Sequence, residues 1–335
     1  MERITSKSIA LALLTGLMLP TLTNQSVADA EDRIQKNFTV DVGGTLIVDV
    51  DRGSIDVTTV PGNELKVEVV RKANSWTRRR GEDALKGHKV EISEQGNNVR
   101  IYSRYKGQRE IFSSWRRPNL NVRYLISTPK RYDGDLRTAG GSISVSDLDG
   151  EVKARTSGGS LKFGRIDGRV WGRTSGGSIT LQSCKQSADV ETSGGSLRIG
   201  QVEGPVSAKT SGGSIEINQV RGDLLARTSG GSIRVNEVFG KIDASTSGGS
   251  VSARLSSQPS GDCTLRTSGG SIEVRLAEKI AVNLDASTSG GRVITEIPVT
   301  IHGELRKNAL KSRINGGGPI LLLHTSGGNV RIRRL

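Results

Sequence analysis

The sequence has few aromatic residues. Three Trp, four Tyr and four Phe make up only 3% of its 335 residues. Wide globular cores take much of their buried area from such side chains, so a thin core of Val, Ile, Leu and Ala, repeated along an axis, suits this composition better. No apolar run reaches 18 residues, which leaves no candidate membrane-spanning helix. What is abundant is glycine, 43 residues; together with the 34% of apolar residues it brings the chain into the foldable range and excludes wholesale disorder. Charge is one-sided, 48 Lys and Arg against 34 Asp and Glu, a formal net charge of +14.

Residues 1–30 have the layout of a signal peptide. Arg3 and Lys7 form a basic head, Ile9 to Leu19 an apolar run, and Ala28-Asp29-Ala30 an A-x-A cleavage pattern. The run is too short for an anchor and has no basic flank after Leu19. The expected setting is therefore outside the cytoplasm: exported, in the periplasm or at the surface of a bacterium. No Cys follows the run to take a lipid.

Everything after Thr138 is governed by a repeat. Thr-Ser-Gly-Gly begins at Thr156, Thr174, Thr192, Thr210, Thr228 and Thr246, 18 residues apart, and a variant sits at Thr138. The spacing becomes 21 at Thr267 and Thr288; Asn315-Gly316-Gly317-Gly318 and Thr325-Ser326-Gly327-Gly328 close the series. Apolar residues recur in register: Ile143, Leu161, Ile179, Leu197, Ile215, Ile233, Val251 and Ile272, then two positions on Val145, Phe163, Leu181, Ile199, Ile217, Val235, Ala253 and Val274. This alternation marks strands with one buried face. Further columns run through Leu148, Ile166 and Cys184, through Val152, Val170 and Ala188, and through Ala154, Gly172 and Val190, and the same parity points each motif Thr inward.

Stacked coils are the arrangement that gives every unit the same neighbours. The expected fold is all-β: a single-stranded β-solenoid, right-handed, of about eleven coils of 18 residues over residues 138–335. In it the Gly pair should turn the corner with positive φ, and the Thr hydroxyls should form ladders, each donating to the next. A left-handed hexapeptide helix would need an apolar anchor every sixth residue, and a calcium roll a recurring Asp; neither pattern is present. Residues 31–137 are expected to form early coils and a cap that shields the solenoid end. Within them, Arg52 to Val57 followed by Leu65 to Val69 reads as a degenerate coil. Glu82-Asp83 would open a short helix with acids in its first turn. Lys89 to Ser93 and Val99 to Tyr102 would pair as a hairpin, and Asn121 to Ser127 would form another strand, stopped by Pro129.

Val122-Arg123-Tyr124-Leu125-Ile126-Ser127-Thr128-Pro129 entering the repeats, the Ser-Gly-Gly-Ser-Ile units and the ending from Asn315 to Ile332 resemble the DUF4097 family of adhesin-like exported bacterial proteins. That resemblance implies a β-solenoid and a cell-envelope setting. It implies no catalytic residue and no cofactor.

Chemistry-bearing residues are sparse. Cys184 and Cys263 lie about four coils apart, roughly 19 Å, beyond the ~7 Å reach of a disulfide. His88, His302 and His324 have no second ligand at metal spacing. Glu216 and Glu273 share an outward column but lie three coils (~14 Å) apart, too far for a glycosidase pair. A polysaccharide-active lyase or hydrolase is thus the alternative, and a non-enzymatic binding surface the main expectation.

Basic residues point to that surface. The column before each motif Thr reads Arg155, Arg173, Glu191, Lys209, Arg227, Ser245, Arg266, an outward stripe whose like charges repel unless screened or covered by an anion. Residues 71–131 hold 16 Lys and Arg against 5 acids. There Arg78, Arg79, Arg80, Arg104, Lys106, Arg109, Arg116 and Arg117 are interleaved with Trp76, Tyr102, Tyr105, Phe112 and Trp115. Such mixtures suit sulfated or phosphorylated glycans, lipid headgroups or nucleic acid. The expected partner is an anionic polysaccharide, lipopolysaccharide or another envelope polymer, and nucleic acid is not expected.

Overall fold

The computed structural model describes residues 28–75, 77–106, 119–301 and 306–335. The chain opens with β1 (Ala28–Thr39), β2 (Thr45–Val50), β3 (Ser54–Val60), β4 (Glu64–Ser75), the helix α1 (Arg78–Gly87), β5 (His88–Gln95), β6 (Asn98–Tyr105) and β7 (Asn119–Pro129). The repeats follow as pairs of short strands. They are β8 (Asp133–Thr138) and β9 (Ile143–Val145), β10 (Val152–Arg155) and β11 (Leu161–Ile166), β12 (Val170–Thr174) and β13 (Ile179–Cys184), β14 (Ala188–Thr192) and β15 (Leu197–Val202). Next come β16 (Val206–Lys209) and β17 (Ile215–Val220), β18 (Leu224–Arg227) and β19 (Ile233–Val238), β20 (Ile242–Thr246) and β21 (Val251–Leu255), β22 (Cys263–Thr267) and β23 (Ile272–Leu276). The last are β24 (Val282–Thr288), β25 (Val293–Thr295), β26 (Thr300–Ile301), β27 (Ala309–Ile314), β28 (Ile320–Thr325) and β29 (Val330–Arg334).

Each unit is one turn of a solenoid. Its two strands enter two different sheets, so that β9, β11 and the odd strands to β23 stack in a first sheet, and β8, β10 and the even strands to β22 in a second. The pairing is parallel and in register: Ile179 lies beside Leu197, and Leu197 beside Ile215. Every residue of the two leading apolar columns is buried. At about 1.5–3 kcal/mol for each buried Val, Leu or Ile, these columns are the main source of stability, and they need no wide aromatic core.

Two details of the corner differ from the sequence reading. Positive φ occurs at Gly43, Gly53, Gly62, Gly96, Asn315, Gly316 and Gly317, and at no glycine of a Thr-Ser-Gly-Gly unit. The second glycine of the motif is required instead by closeness: a Cβ on Gly195 would sit 2.1 Å from the carbonyl oxygen of Gly177 in the coil before. The first glycine is looser, with 3.4 Å from a Cβ on Gly194 to the nearest oxygen. The Thr column is buried as expected, but its hydroxyls do not form a ladder. Thr192 Oγ1 donates to the Gly177 carbonyl at 2.7 Å and accepts from the Gly195 N–H at 3.3 Å, and the same pair of bonds recurs from Thr156 to Thr325. Backbone acceptors are nearer than the next hydroxyl, so they win. The coil-to-coil ladder is made by serine, with the Ser196 N–H donating to Ser178 Oγ at 3.1 Å and its counterparts on either side.

Both ends depart from sequential stacking. At the N-terminal end, β2 and β3 form a coil, while β6 and β7 form a coil on its outer side that the chain reaches later. Leu65 to Val69 do not complete a coil; they lie in β4, antiparallel to β7 and to β1. Alternation fixes which face is buried but not strand direction. The β5–β6 hairpin forms as expected and closes the second sheet. Between β4 and β5, α1 packs Gly81 and Ala84 inward, with Gly81 against Ala30 and Ala73. It starts earlier than expected, so Arg78, Arg79 and Arg80, not Glu82 and Asp83, occupy its first turn. Cations there oppose the helix dipole; Arg78 is offset by Glu82 at 3.1 Å, one turn on.

At the C-terminal end the order was expected to be Thr267, Thr288, Thr325. In space, β28 and β29 lie between β22–β23 and β24–β25. The last coil of the chain is inserted into the stack, and the β26–β27 strands pair antiparallel outside β24. Each sheet holds twelve parallel strands, two of them from the N-terminal coils; the repeats supply ten coils, one fewer than expected, because Asn315-Gly316-Gly317-Gly318 joins β27 to β28 and is not the corner of a further coil. Among the described residues no helix is long and apolar enough to cross a membrane.

Candidate functional site

Period-2 alternation leaves two outward columns on the second sheet, and strand pairing sets their neighbours. One runs Tyr102, Asp49, Arg137, Arg155, Arg173, Glu191, Lys209, Arg227, Ser245 and Arg266. The other, two residues earlier, runs Asp135, Lys153, Trp171, Asp189, Ser207, Leu225 and Asp243. The cationic stripe is therefore a physical line, and Tyr102 lies on it. The expectation of an uncompensated stripe needs correction. Arg173 is paired with Asp189 at 2.6 Å and Glu191 at 3.3 Å, and Arg227 with Asp243 at 3.1 Å. The second column supplies the acids that the first column's spacing could not show. Among the described residues, Arg155 and Lys209 have no carboxylate partner, nor has Lys153 beside them.

A groove of about 730 Å³ opens on this face, lined by Arg137, Lys153, Arg155, Arg169, Trp171 and the carboxylates Asp135, Glu151 and Asp189. Trp171 is half-buried, and the Arg173 guanidinium lies over its ring, 4.9 Å from the centroid. Each carboxylate is engaged by an arginine: Asp135 by Arg137 at 2.9 Å, Glu151 by Arg169 at 3.9 Å, Asp189 by Arg173. The groove continues through a second depression of about 530 Å³ past Leu225 to Thr264, where Asp223, Asp243 and Asp262 face a single Lys241. Its basic half is thus the half around Trp171. Sequence reasoning missed Trp171, although register alone places it outward, in a column where other coils carry Lys, Asp, Ser or Leu.

The basic cap is only partly one site. Arg104 is half-buried; it bonds the Asp49 carboxylate and carbonyl, both at 2.9 Å, and lies over Tyr102 at 4.4 Å. That makes Arg104 a strut between β6 and β2. Tyr105 packs under Arg52 at 4.7 Å. Arg79, Arg80 and Lys106 are exposed, the first two on α1, which packs chiefly on β4 and β1 of the first sheet. Trp76, Arg109, Phe112, Trp115, Arg116 and Arg117 lie outside the described residues, as does His302.

Two further groups resemble chemistry and are enclosed. His88 is buried, with Nε2 2.7 Å from Ser103 Oγ and 4.0 Å from Asp51. Burial pushes its imidazole down to about 4, resisted by Asp51 and helped by Arg71 and Arg52. Ser103 is fully buried and meets the same ring nitrogen as Asp51, so this trio is not arranged as a nucleophile, base and orienting acid. Arg71 donates to the carbonyls of Leu85 and His88 and pairs with Asp32, tying the helix end to β4 and β1. Cys184, in β13 of the first sheet, and Cys263, in β22 of the second, are free and buried, and burial pushes both thiols up. Glu216 and Glu273 are separated by Arg234 and Ser252, one per strand, as the repeat spacing implied. No group of three His, Cys, Asp or Glu side chains able to hold a metal ion occurs among the described residues.

No curated protein matches the chain. Among solved structures, similarity extends to a protein from Clostridium sporogenes provisionally assigned to cell adhesion, at 11% identity and a TM-score of 0.24, covering 91% of this chain and 100% of that one. A provisionally assigned adhesin from Bacteroides fragilis matches at 11% identity and 0.31, covering 91% and 97%. A provisionally assigned lipid-binding protein from Parabacteroides distasonis matches at 10% and 0.29, with the same coverage of 91% and 97%. The sequence itself is decisive: residues 45–333 match the profile of the Toastrack family, DUF4097, and the chain belongs to that family.

Proposed function

We propose that this chain is a non-enzymatic, adhesin-like scaffold exported to the cell envelope, and that the second sheet's outward face binds an anionic polymer such as an acidic polysaccharide or lipopolysaccharide. The observation that carries this reading is the groove around Trp171. A half-buried indole there sits beside Arg155 and Lys153, two cations on one strand that no carboxylate among the described residues pairs with. One face of the indole is taken by Arg173, and a sugar ring would stack on the other. The acids or sulfates of the polymer would then meet these two cations, spaced along the strand by two residues or ~6.6 Å.

An enzymatic reading requires a carboxylate free to donate or accept a proton. The three carboxylates of the groove are each occupied by an arginine. Retention of the protein on immobilised heparin, as a probe of sulfated polymer, tests the proposal. Trp171→Ala and the double variant Lys153→Gln with Arg155→Gln should elute at lower salt, the double variant with a flatter salt dependence. Unchanged elution of both variants overturns the binding reading. Release of new reducing ends from an acidic polysaccharide by the protein overturns the non-enzymatic one.

A further inference from the structure

Most cations of the central repeats lie one coil from an acid, as with Arg165 and Asp147, Lys185 and Asp167, or Arg221 and Glu203. The outward face of the first sheet breaks this pattern near its C-terminal end. One column there reads Arg234, Ser252, Glu273, Arg331, and the column two residues on reads Arg254, Arg275, Arg333, side by side. Glu273 is already shared by Arg275 at 3.0 Å and Arg333 at 3.8 Å. Arg234, Arg254 and Arg331 are left with no carboxylate partner among the described residues. All three line a groove of about 540 Å³, together with the serines Ser250, Ser252 and Ser271.

The hydroxyl chemistry of the groove matches its charge. Ser250 Oγ accepts from the Ser271 N–H, and Ser271 Oγ from the Asn329 N–H, both at 3.1 Å. Each hydroxyl has its oxygen engaged by the backbone and its own proton left to donate. Three guanidinium groups and these donors surround one depression whose only carboxylate is occupied. Arg331 belongs to the inserted last coil, so the cluster exists only because that coil lies beside β23.

We propose that this groove is a second site, distinct from the Trp171 face, that binds the tetrahedral oxyanion of a phosphate ester. Guanidinium forks match such an anion with paired, charge-assisted hydrogen bonds. The phosphate can come from a lipid headgroup or from a soluble or polymer-borne ester, and the test separates the two.

Inorganic phosphate is titrated into the protein against chloride at matched ionic strength, read by calorimetry. Wild type should bind phosphate in preference to chloride. Arg254→Gln and Arg331→Gln should each weaken binding about tenfold, the loss of one charge-assisted pair. Arg266→Gln, an exposed cation on the other sheet, and Trp171→Ala should leave it unchanged. Vesicles containing phosphatidic acid supply the second arm. Vesicle binding lost in Arg254→Gln and displaced by inorganic phosphate assigns the lipid source; vesicle binding indifferent to Arg254→Gln, with phosphate binding still dependent on it, assigns the soluble source. Absence of phosphate binding in wild type, or equal loss in Arg266→Gln, overturns the site. Because Trp171→Ala reports only on the other face, failure here leaves the polymer reading standing, and the converse also holds.

Discussion

The regular middle of the solenoid and its two ends obey different rules. From β10 to β21 each coil stacks on the coil before it in the sequence, and nothing but register is needed. At the ends the chain leaves that order: β6 and β7 stack outside a coil made earlier, and β28 and β29 enter between two coils made earlier. Open ends of a parallel stack expose strand edges; antiparallel strands flank both sheets at the N-terminal end, β4 with β1 and β5, and the second sheet at the other, β27 with β26, while the first sheet ends there on β25. The difference teaches that the Thr-Ser-Gly-Gly unit specifies what a coil fits against, not which coil that is. A middle coil is replaceable; an inserted coil is a keystone.

The largest expected effect follows from that contrast. Ending the chain after Gly318 removes Leu321, Leu323, Val330 and Ile332, all fully buried, leaves β22, β23 and β24 each unpaired on one side, and leaves β25 with no partner. Four such side chains are worth about 6–12 kcal/mol, comparable to the whole stability of an ordinary domain. Denaturant unfolding should show loss of the cooperative transition. Deletion of Thr192 to Lys209, one whole middle unit and one residue longer, should shift the midpoint only slightly, and a reversal of the two outcomes would erase the distinction.

Within the middle, the two glycines of one motif provide the next contrast. Gly195→Ala presses a methyl group onto the Gly177 carbonyl and should destabilise by about 3 kcal/mol, as overpacking does, while Gly194→Ala, with ordinary contact distance, should change little. Equal effects in thermal unfolding would return the role of the pair to backbone conformation.

At the N-terminal end, His88 couples stability to pH. Its imidazole titrates at about 4 when folded and near 6.5 when unfolded, so between these values the unfolded chain binds the extra proton. Stability should therefore fall as pH drops from about 6.5 towards 4, by up to about 3 kcal/mol. His88→Gln should flatten that part of the profile, and an unchanged slope would place the acid sensitivity elsewhere. The smallest expected effect is that of Thr192→Val, which removes the hydroxyl bond to the Gly177 carbonyl. A loss of about 1 to 2 kcal/mol is expected, and equal stability of the variant would show that this carbonyl is satisfied without Thr.

Much of the architecture was legible in the sequence because the repeat writes it many times over. Columns such as Ile179, Leu197 and Ile215 state burial, parity and register together. What stayed illegible was whatever the repeat states only once or ambiguously. Leu65, Val67 and Val69 alternate identically in a parallel or an antiparallel strand. Thr325 carries the same motif as Thr288, so its place in the stack cannot be read from the motif. The stripe residues Arg155, Arg173, Lys209 and Arg227 were placed correctly on one line, but the acids that neutralise Arg173 and Arg227 sit two residues away in a column that looks unpatterned. Trp171 was hidden for the same reason.

The order of the last three coils is the most direct test of stacking by register. Arg266, His324 and Ser287 lie side by side on the outward face, in that order, with Ser287 Oγ 2.9 Å from His324 Nδ1. Neighbouring strands place Cα atoms ~4.8 Å apart and next-but-one strands roughly 9.6 Å, beyond the ~7 Å reach of a disulfide. Under mild oxidation, Arg266→Cys with His324→Cys should cross-link readily and Arg266→Cys with Ser287→Cys should not. Cross-linking of the second pair in preference to the first would contradict the inserted coil.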